Sequence, residues 1–172
     1  MSGYVTEDQQ FLVIYASNTT TGNRLYVKDL TDPQGQLLSV VNDEASDVSV
    51  IFAQDGTLYA QTNREAPNSR VVKFRLPAPA VWQDVIPESE HVLDASAAGG
   101  YFFAQYMVDA IARVEQYSLD GQRLREIVLP GPGDASGFRG KAKDTVAYYS
   151  FQNYKTPSTL FRLELASGDS SV

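Results

Sequence analysis

The sequence predicts an all-β protein assembled from about four copies of one four-stranded unit, and three observations carry that expectation. Four apolar segments recur at a nearly constant interval: FLVIYAS from Phe11, TLYAQTN from Thr57, YFFAQYM from Tyr101 and TVAYYSF from Thr145 start 46, 44 and 44 residues apart. A second series follows them, RLYVKDL from Arg24, VVKFRLP from Val71, VEQYSLD from Val114 and TLFRLEL from Thr159, at intervals of 47, 43 and 45 residues. Two independent series holding one period mark a repeat architecture. Thirdly, no stretch combines sustained helical periodicity with capping residues.

Within each repeat the elements follow in order. The candidate innermost strands are GYVTED, VSVIFAQ, VLDASAA and SGFRGKA. Each is followed by a pair expected to make a tight turn, Gln9-Gln10, Asp55-Gly56, Gly99-Gly100 and Lys143-Asp144. Asp-Gly and Gly-Gly are favoured there because they tolerate positive φ. The first series supplies the next strand; it is rich in Tyr, Phe, Val and Ile, as a short strand buried on both faces would be. The second series supplies the third strand and alternates: Phe161, Leu163 and Leu165 share one face while Arg162 and Glu164 take the other, the period-2 mark of a half-buried strand. QLLSVV, VWQDVIP and LREIVLP supply outer strands to the first three units. MVDAIARVEQYSL has helical propensity, but the repeat register makes it a loop followed by a strand.

A strand, turn, strand, loop, strand, turn, strand unit of roughly 45 residues has the content of a β-propeller blade. The expectation is a partial β-propeller of about four antiparallel four-stranded blades, at about 1–43, 44–90, 91–134 and 135–172. An ordinary sandwich explains the strands but not the period. The last blade is expected to be incomplete, because only ASGDSSV remains after TLFRLEL.

Composition narrows function. With 43% hydrophobic and 20% charged residues the chain is globular in character. The absence of cysteine excludes disulfides, thiolate metal sites and a cysteine nucleophile. A net charge of -7 is opposite to what phosphate neutralisation requires, so nucleic acid is not expected as a partner. No apolar run is long enough to span a bilayer and MSGYVTEDQQ is no signal peptide, so a cytoplasmic location is expected.

Few residues suggest chemistry, and no catalytic, cofactor-binding or metal residue is assigned. The only histidine is His91, in ESEHVLD; without a partner it reads as a surface residue. No G-x-S-x-G occurs, and the nearest string, GDASG from Gly133 to Gly137, has its serine in the fourth place within a connection. GPGDASG lacks the Lys and following helix of a phosphate loop. NDEASD, from Asn42 to Asp47, lacks the spacing of a cation loop and is expected to be a solvated acidic loop. Asn18 in NTT fits the glycosylation pattern and equally an ordinary turn. Tyr101, Phe102, Phe103, Tyr148 and Tyr149 occupy corresponding strand positions and are expected in the core. Function is expected in the loops NREAPNSR and QNYKTPS.

Three passages carry a likeness to a known family: TNREAPNSRVVKF from Thr62 to Phe74, WQDVIPESEHVLD from Trp82 to Asp94, and KDTVAYYSFQNYKTPSTLFRLEL. With GYVTEDQQFLVIYASNTTTGNRLYVKDL as an earlier blade, the chain resembles the propeller of the prolyl oligopeptidases over nearly its whole length. The resemblance implies roughly the last four blades of a seven-bladed propeller. In that family the propeller is paired with an α/β-hydrolase domain that cleaves short peptides after proline, and it covers the active site. The reactive residues would then lie outside this chain, and a family cysteine near the active site falls near Ala98. The partners implied are that hydrolase domain and short peptides, with no cofactor. A free-standing β-sheet interaction module is the runner-up. A G-x-S-x-G encoded downstream of Val172 favours the first reading, and a reading frame ending at Val172 the second. Blades without neighbours expose apolar faces, so self-association is expected ahead of closure into a small ring; a monomer by light scattering at high concentration would contradict it.

Overall fold

The computed structural model describes all of residues 1–172, as sixteen strands with no helix. In chain order they are β1 (Ser2–Val5), β2 (Phe11–Ala16), β3 (Arg24–Asp29), β4 (Leu38–Val41), β5 (Val48–Gln54), β6 (Thr57–Thr62), β7 (Arg70–Arg75) and β8 (Ala78–Ile86). They continue with β9 (Leu93–Ala98), β10 (Tyr101–Val108), β11 (Ile111–Ser118), β12 (Arg123–Glu126), β13 (Asp134–Arg139), β14 (Val146–Gln152), β15 (Thr159–Glu164) and β16 (Ser170–Ser171). Four consecutive antiparallel meanders result, β1–β4, β5–β8, β9–β12 and β13–β16, each the blade of a β-propeller. They form two compact units, Met1–Glu88 and Ser89–Val172. A fourth strand does complete the last blade, but as a two-residue stub pairing Ser170 and Ser171 with Leu163 and Arg162.

Turn chemistry explains where neighbouring strands break. Asp55-Gly56 (φ 51° and 75°) and Gly99-Gly100 (φ 59° and 78°) make the two-residue hairpins expected of them. The other two expected turns are built differently. At 6–10 the Thr6 hydroxyl donates to Asp8 Oδ1 (2.5 Å) and accepts from Phe11 N (3.0 Å), while Gln9 N donates to Thr6 O (2.8 Å). At 140–145 Asp144 Oδ2 accepts from Lys141 N (2.6 Å); side chains help close both turns, and only the first also uses a positive φ, 59° at Gln9. The loop expected within MVDAIARVEQYSL is reduced to a two-residue turn, and the strand expected after it is present as β11. β10 continues to Val108 and turns back through Asp109 and Ala110, both at positive φ (49° and 63°) without a glycine.

Each unit has its own core between two blades. In the first, Phe11, Val13, Leu25 and Val27 of β2 and β3 pack on Val48, Leu58, Ala60 and Phe74 of the next blade. In the second, Phe103 and Val114 pack on Phe138, Tyr149, Phe151 and Leu163. Burying one such side chain contributes about 1.5–3 kcal/mol. A bulge in β13 between Gly137 and Arg139 gives Phe138 a left-handed φ of 57° and carries its ring into this core. There it stacks between Phe103 and Tyr149, with centroids at 5.8 and 4.6 Å.

Phe102, Phe103 and Tyr149 are core residues and Tyr101 borders the core, as expected. Tyr148 is not: it is 53% exposed, because β14 alternates and only the face bearing Ala147, Tyr149 and Phe151 is covered. The first-series strands β6 and β10 bury consecutive residues, whereas β2 and β14 alternate.

Candidate binding site at the loop end of the blades

Antiparallel strands alternate in direction, so the second and third strands of a blade are joined at the same end as the link to the next blade. In the first unit this places the connections 17–23 and 63–69 beside the link 42–47. In the second it places the turn 109–110 and the connection 153–158 beside the link 127–133. Both loops nominated by the sequence, NREAPNSR and QNYKTPS, lie at this end.

In the first unit the acidic link is exposed over most of its length, as expected, and its carboxylates in addition tie it to the two neighbouring connections. Glu44 accepts from Asn18 N (3.0 Å), Asn18 Nδ2 (3.2 Å) and the Thr19 hydroxyl (3.1 Å), and pairs with Arg24 (3.2 Å). Asp43 receives Arg64 Nη1 on both oxygens at 3.0 Å. Asp47 accepts from Gly22 N (3.0 Å) and Asn63 Nδ2 (3.2 Å), and its own amide donates to Asn63 Oδ1 (2.7 Å). Asn18, the glycosylation candidate, therefore spends its amide nitrogen on Glu44. The rest of NREAPNSR is pinned as well, through Arg70 to Asp84 (2.9 Å) and Asn68 N to Glu88 (2.6 Å).

These contacts perturb the acids. Donation from the Ala45 amide, and then Arg64, holds the Asp43 carboxyl below the usual carboxylate range. The Asn18 amide, followed by Thr19 and Arg24, does the same for Glu44. Because both values are depressed on folding, the network's contribution is complete above the ordinary values of 3.8 and 4.5 and is lost as pH falls below them. In an NMR titration the Asn18 amide should therefore follow Glu44 with a midpoint below 4.5. A midpoint at or above that value would contradict the network.

The second unit carries an open cavity of about 600 Å³ at the corresponding place. Its walls come from the hairpin tip 109–111, from 132–134 where the link enters β13, and from 152–157 where β14 runs into its connection. Asn153 holds the walls in place: its Oδ1 accepts from Lys155 N (2.9 Å) and Thr156 N (2.8 Å), and its Nδ2 donates to Pro132 O (3.1 Å). Gly133 is required by close approach, since a Cβ there would sit 2.4 Å from Gln152 O. Asp109 and Asp134 line this cavity, as does Tyr154, whose side chain is fully exposed. Sequence alone does not single out the two aspartates, because only the pairing of two blades brings them to one wall.

The remaining candidates are dispersed. His91 Nε2 lies 3.5 Å from Glu90 Oε1, its one ion-pair partner. Within GDASG, Asp134 to Gly137 belong to β13 rather than to a connection, and Ser136 Oγ lies 3.1 Å from Ser150 Oγ, away from any base. Ala98 is buried at the end of β9, within the core of the second unit.

The family model for the prolyl oligopeptidase N-terminal β-propeller domain matches residues 1–172. A prolyl endopeptidase of Elizabethkingia miricola is 44% identical over 174 residues, a match that covers 100% of this chain and 24% of that protein. Among solved structures, one from a study of two prolyl endopeptidases superimposes with a TM-score of 0.87 at 28% identity, covering 98% of this chain and 25% of that one. Prolyl oligopeptidase B from Galerina marginata superimposes with a TM-score of 0.85 at 26% identity, covering 96% of this chain and 24% of that one. The chain thus spans about a quarter of the length of the relatives it matches.

Proposed function

Because this chain belongs to the prolyl oligopeptidase family, as part of its N-terminal β-propeller domain, we propose that it serves a serine peptidase as a non-catalytic cover over the active site. In that reading it adjoins an α/β-hydrolase domain and admits only short proline-containing peptides. The match over residues 1–172 carries the proposal, and the chemistry of the chain supports it. The one histidine faces Glu90, and the serine of the only string near a nucleophile elbow stands in a strand against another serine. A serine nucleophile needs a base within hydrogen-bond reach and an orienting acid behind that base.

The test compares the 172-residue chain with the full-length protein of its gene on a proline-containing chromogenic peptide. The chain alone should give no turnover. The full-length protein should cleave the peptide, and should process short peptides far faster than a long unfolded polypeptide containing the same site. Turnover by the chain alone, or equal rates on short and long substrates, would overturn the proposal.

A further inference from the structure

The two units offer an internal comparison, since each has the same three segments at the same end of its blades. In the first unit the carboxylates of the link are each engaged from within the chain: Asp43 by Arg64, Glu44 by Arg24 and Asn18, Asp47 by Gly22 and Asn63. In the second unit the connection 17–23 is replaced by the two-residue turn at Asp109 and Ala110, and no segment fills the space. What remains is the cavity of about 600 Å³, within the size range of sites that enclose a small ligand or a short peptide stretch. Asp109 and Asp134 line it, and neither carboxylate has an ion-pair or hydrogen-bond partner in the chain. No Lys or Arg lines the cavity. Lys155, the cation of the adjoining loop, forms no ion pair and is not among the lining residues.

The rest of the wall mixes apolar, aromatic and polar side chains, with Gln152, Asn153 and Thr156 among the polar ones. Ile111, Pro132 and Pro157 line it, and the exposed Tyr154 ring stands among them. The apolar part of this wall, together with two uncompensated negative charges, complements a ligand with an aliphatic stem and a cationic head. An aromatic ring adds attraction for that head over its face. Asn153 holds the walls by three hydrogen bonds, so the shape is set before any ligand arrives.

We propose that this cavity of the second unit is a peptide-binding subsite that takes a lysine or arginine side chain, its stem on Ile111, Pro132 and Pro157 and its head between Asp109 and Asp134. The proposal does not rest on the peptidase reading.

The experiment titrates the 172-residue chain, followed by amide NMR, with blocked Gly-Lys-Gly and with blocked Gly-norleucine-Gly, which keeps the stem and removes the charge. The lysine peptide should shift amides of residues 109–111, 133–134 and 152–156 in a saturable way. The norleucine peptide should bind about tenfold more weakly, and the double variant Asp109→Asn, Asp134→Asn should lose a similar factor for the lysine peptide. Asp109 and Asp134 make no side-chain contact that holds the fold, so this variant should keep the wild-type spectrum elsewhere. Equal affinity for the two peptides, unchanged lysine binding by the double variant, or no saturable shifts at these residues would each overturn the proposal. Because no turnover is measured, these outcomes are distinct from failure of the peptidase reading.

Discussion

Replacing Phe138 with alanine should cost the second unit about 3–5 kcal/mol, the range for removing a fully buried aromatic ring. Three features put the site at the upper end. The ring is 0% exposed, it stacks on both Phe103 and Tyr149, and Tyr149 stacks in turn on Phe161 at 5.3 Å. The void would open in the middle of this row. Collapse to fill it is opposed by the bulge, because the backbone at 138 is held by the buried hydrogen bond from Ser96 Oγ to Phe138 O (2.9 Å). Domain stabilities are about 5–15 kcal/mol, so the loss would be visible as a large shift in the urea midpoint. Tyr148→Ala is the internal control. Its side chain is 53% exposed on the uncovered face of the same blade and should change stability by less than about 0.5 kcal/mol. Similar losses for the two variants would contradict the packing described.

Gly22→Ala should destabilise the first unit by roughly 2–4 kcal/mol, because Gly22 is the buried residue of an otherwise largely exposed connection. Its φ of +79° alone costs an L-residue roughly 1–2 kcal/mol. A Cβ there would also sit 2.0 Å from Glu44 O and 2.6 Å from Glu44 C. These are backbone atoms, so the link 42–47 itself must move. That movement breaks the Gly22 N to Asp47 bond and the neighbouring Asn23 N to Ser46 O bond (3.0 Å). Hydrogen exchange would then show lost protection at Gly22 and Asn23 together with the lower stability. A loss below about 1 kcal/mol with protection retained would show that the connection and the link are not tightly joined.

How far these features can be read from the chain differs by kind. The repeat was legible because each blade is a local meander: pairing partners lie close in sequence, so period and strand alternation are written into consecutive residues. The Asp55-Gly56 and Gly99-Gly100 turns were legible for the same reason, since positive φ there has a residue preference. The hairpin at Asp109 and Ala110 was not, because neither residue is the glycine that signals such a turn. Nor was the stub at Ser170 and Ser171, whose polar side chains carry no strand pattern.

The candidate site was only half legible. Loop composition pointed to 63–70 and 152–158, yet the role of every charged group there was set at a distance. Glu44 meets Asn18 across 26 residues and Asp43 meets Arg64 across 21, so the acidic run reads only as solvated until two blades are placed together.

By itself, then, the sequence determined the blade: its period, its strands, the faces of its alternating strands and the family likeness that these carry. The tertiary structure alone decided which aromatics are covered, which carboxylates are neutralised and where a cavity is left. Those depend on which neighbouring segment fills the space between two blades, and burial and charge pairing are properties of that space rather than of any local pattern.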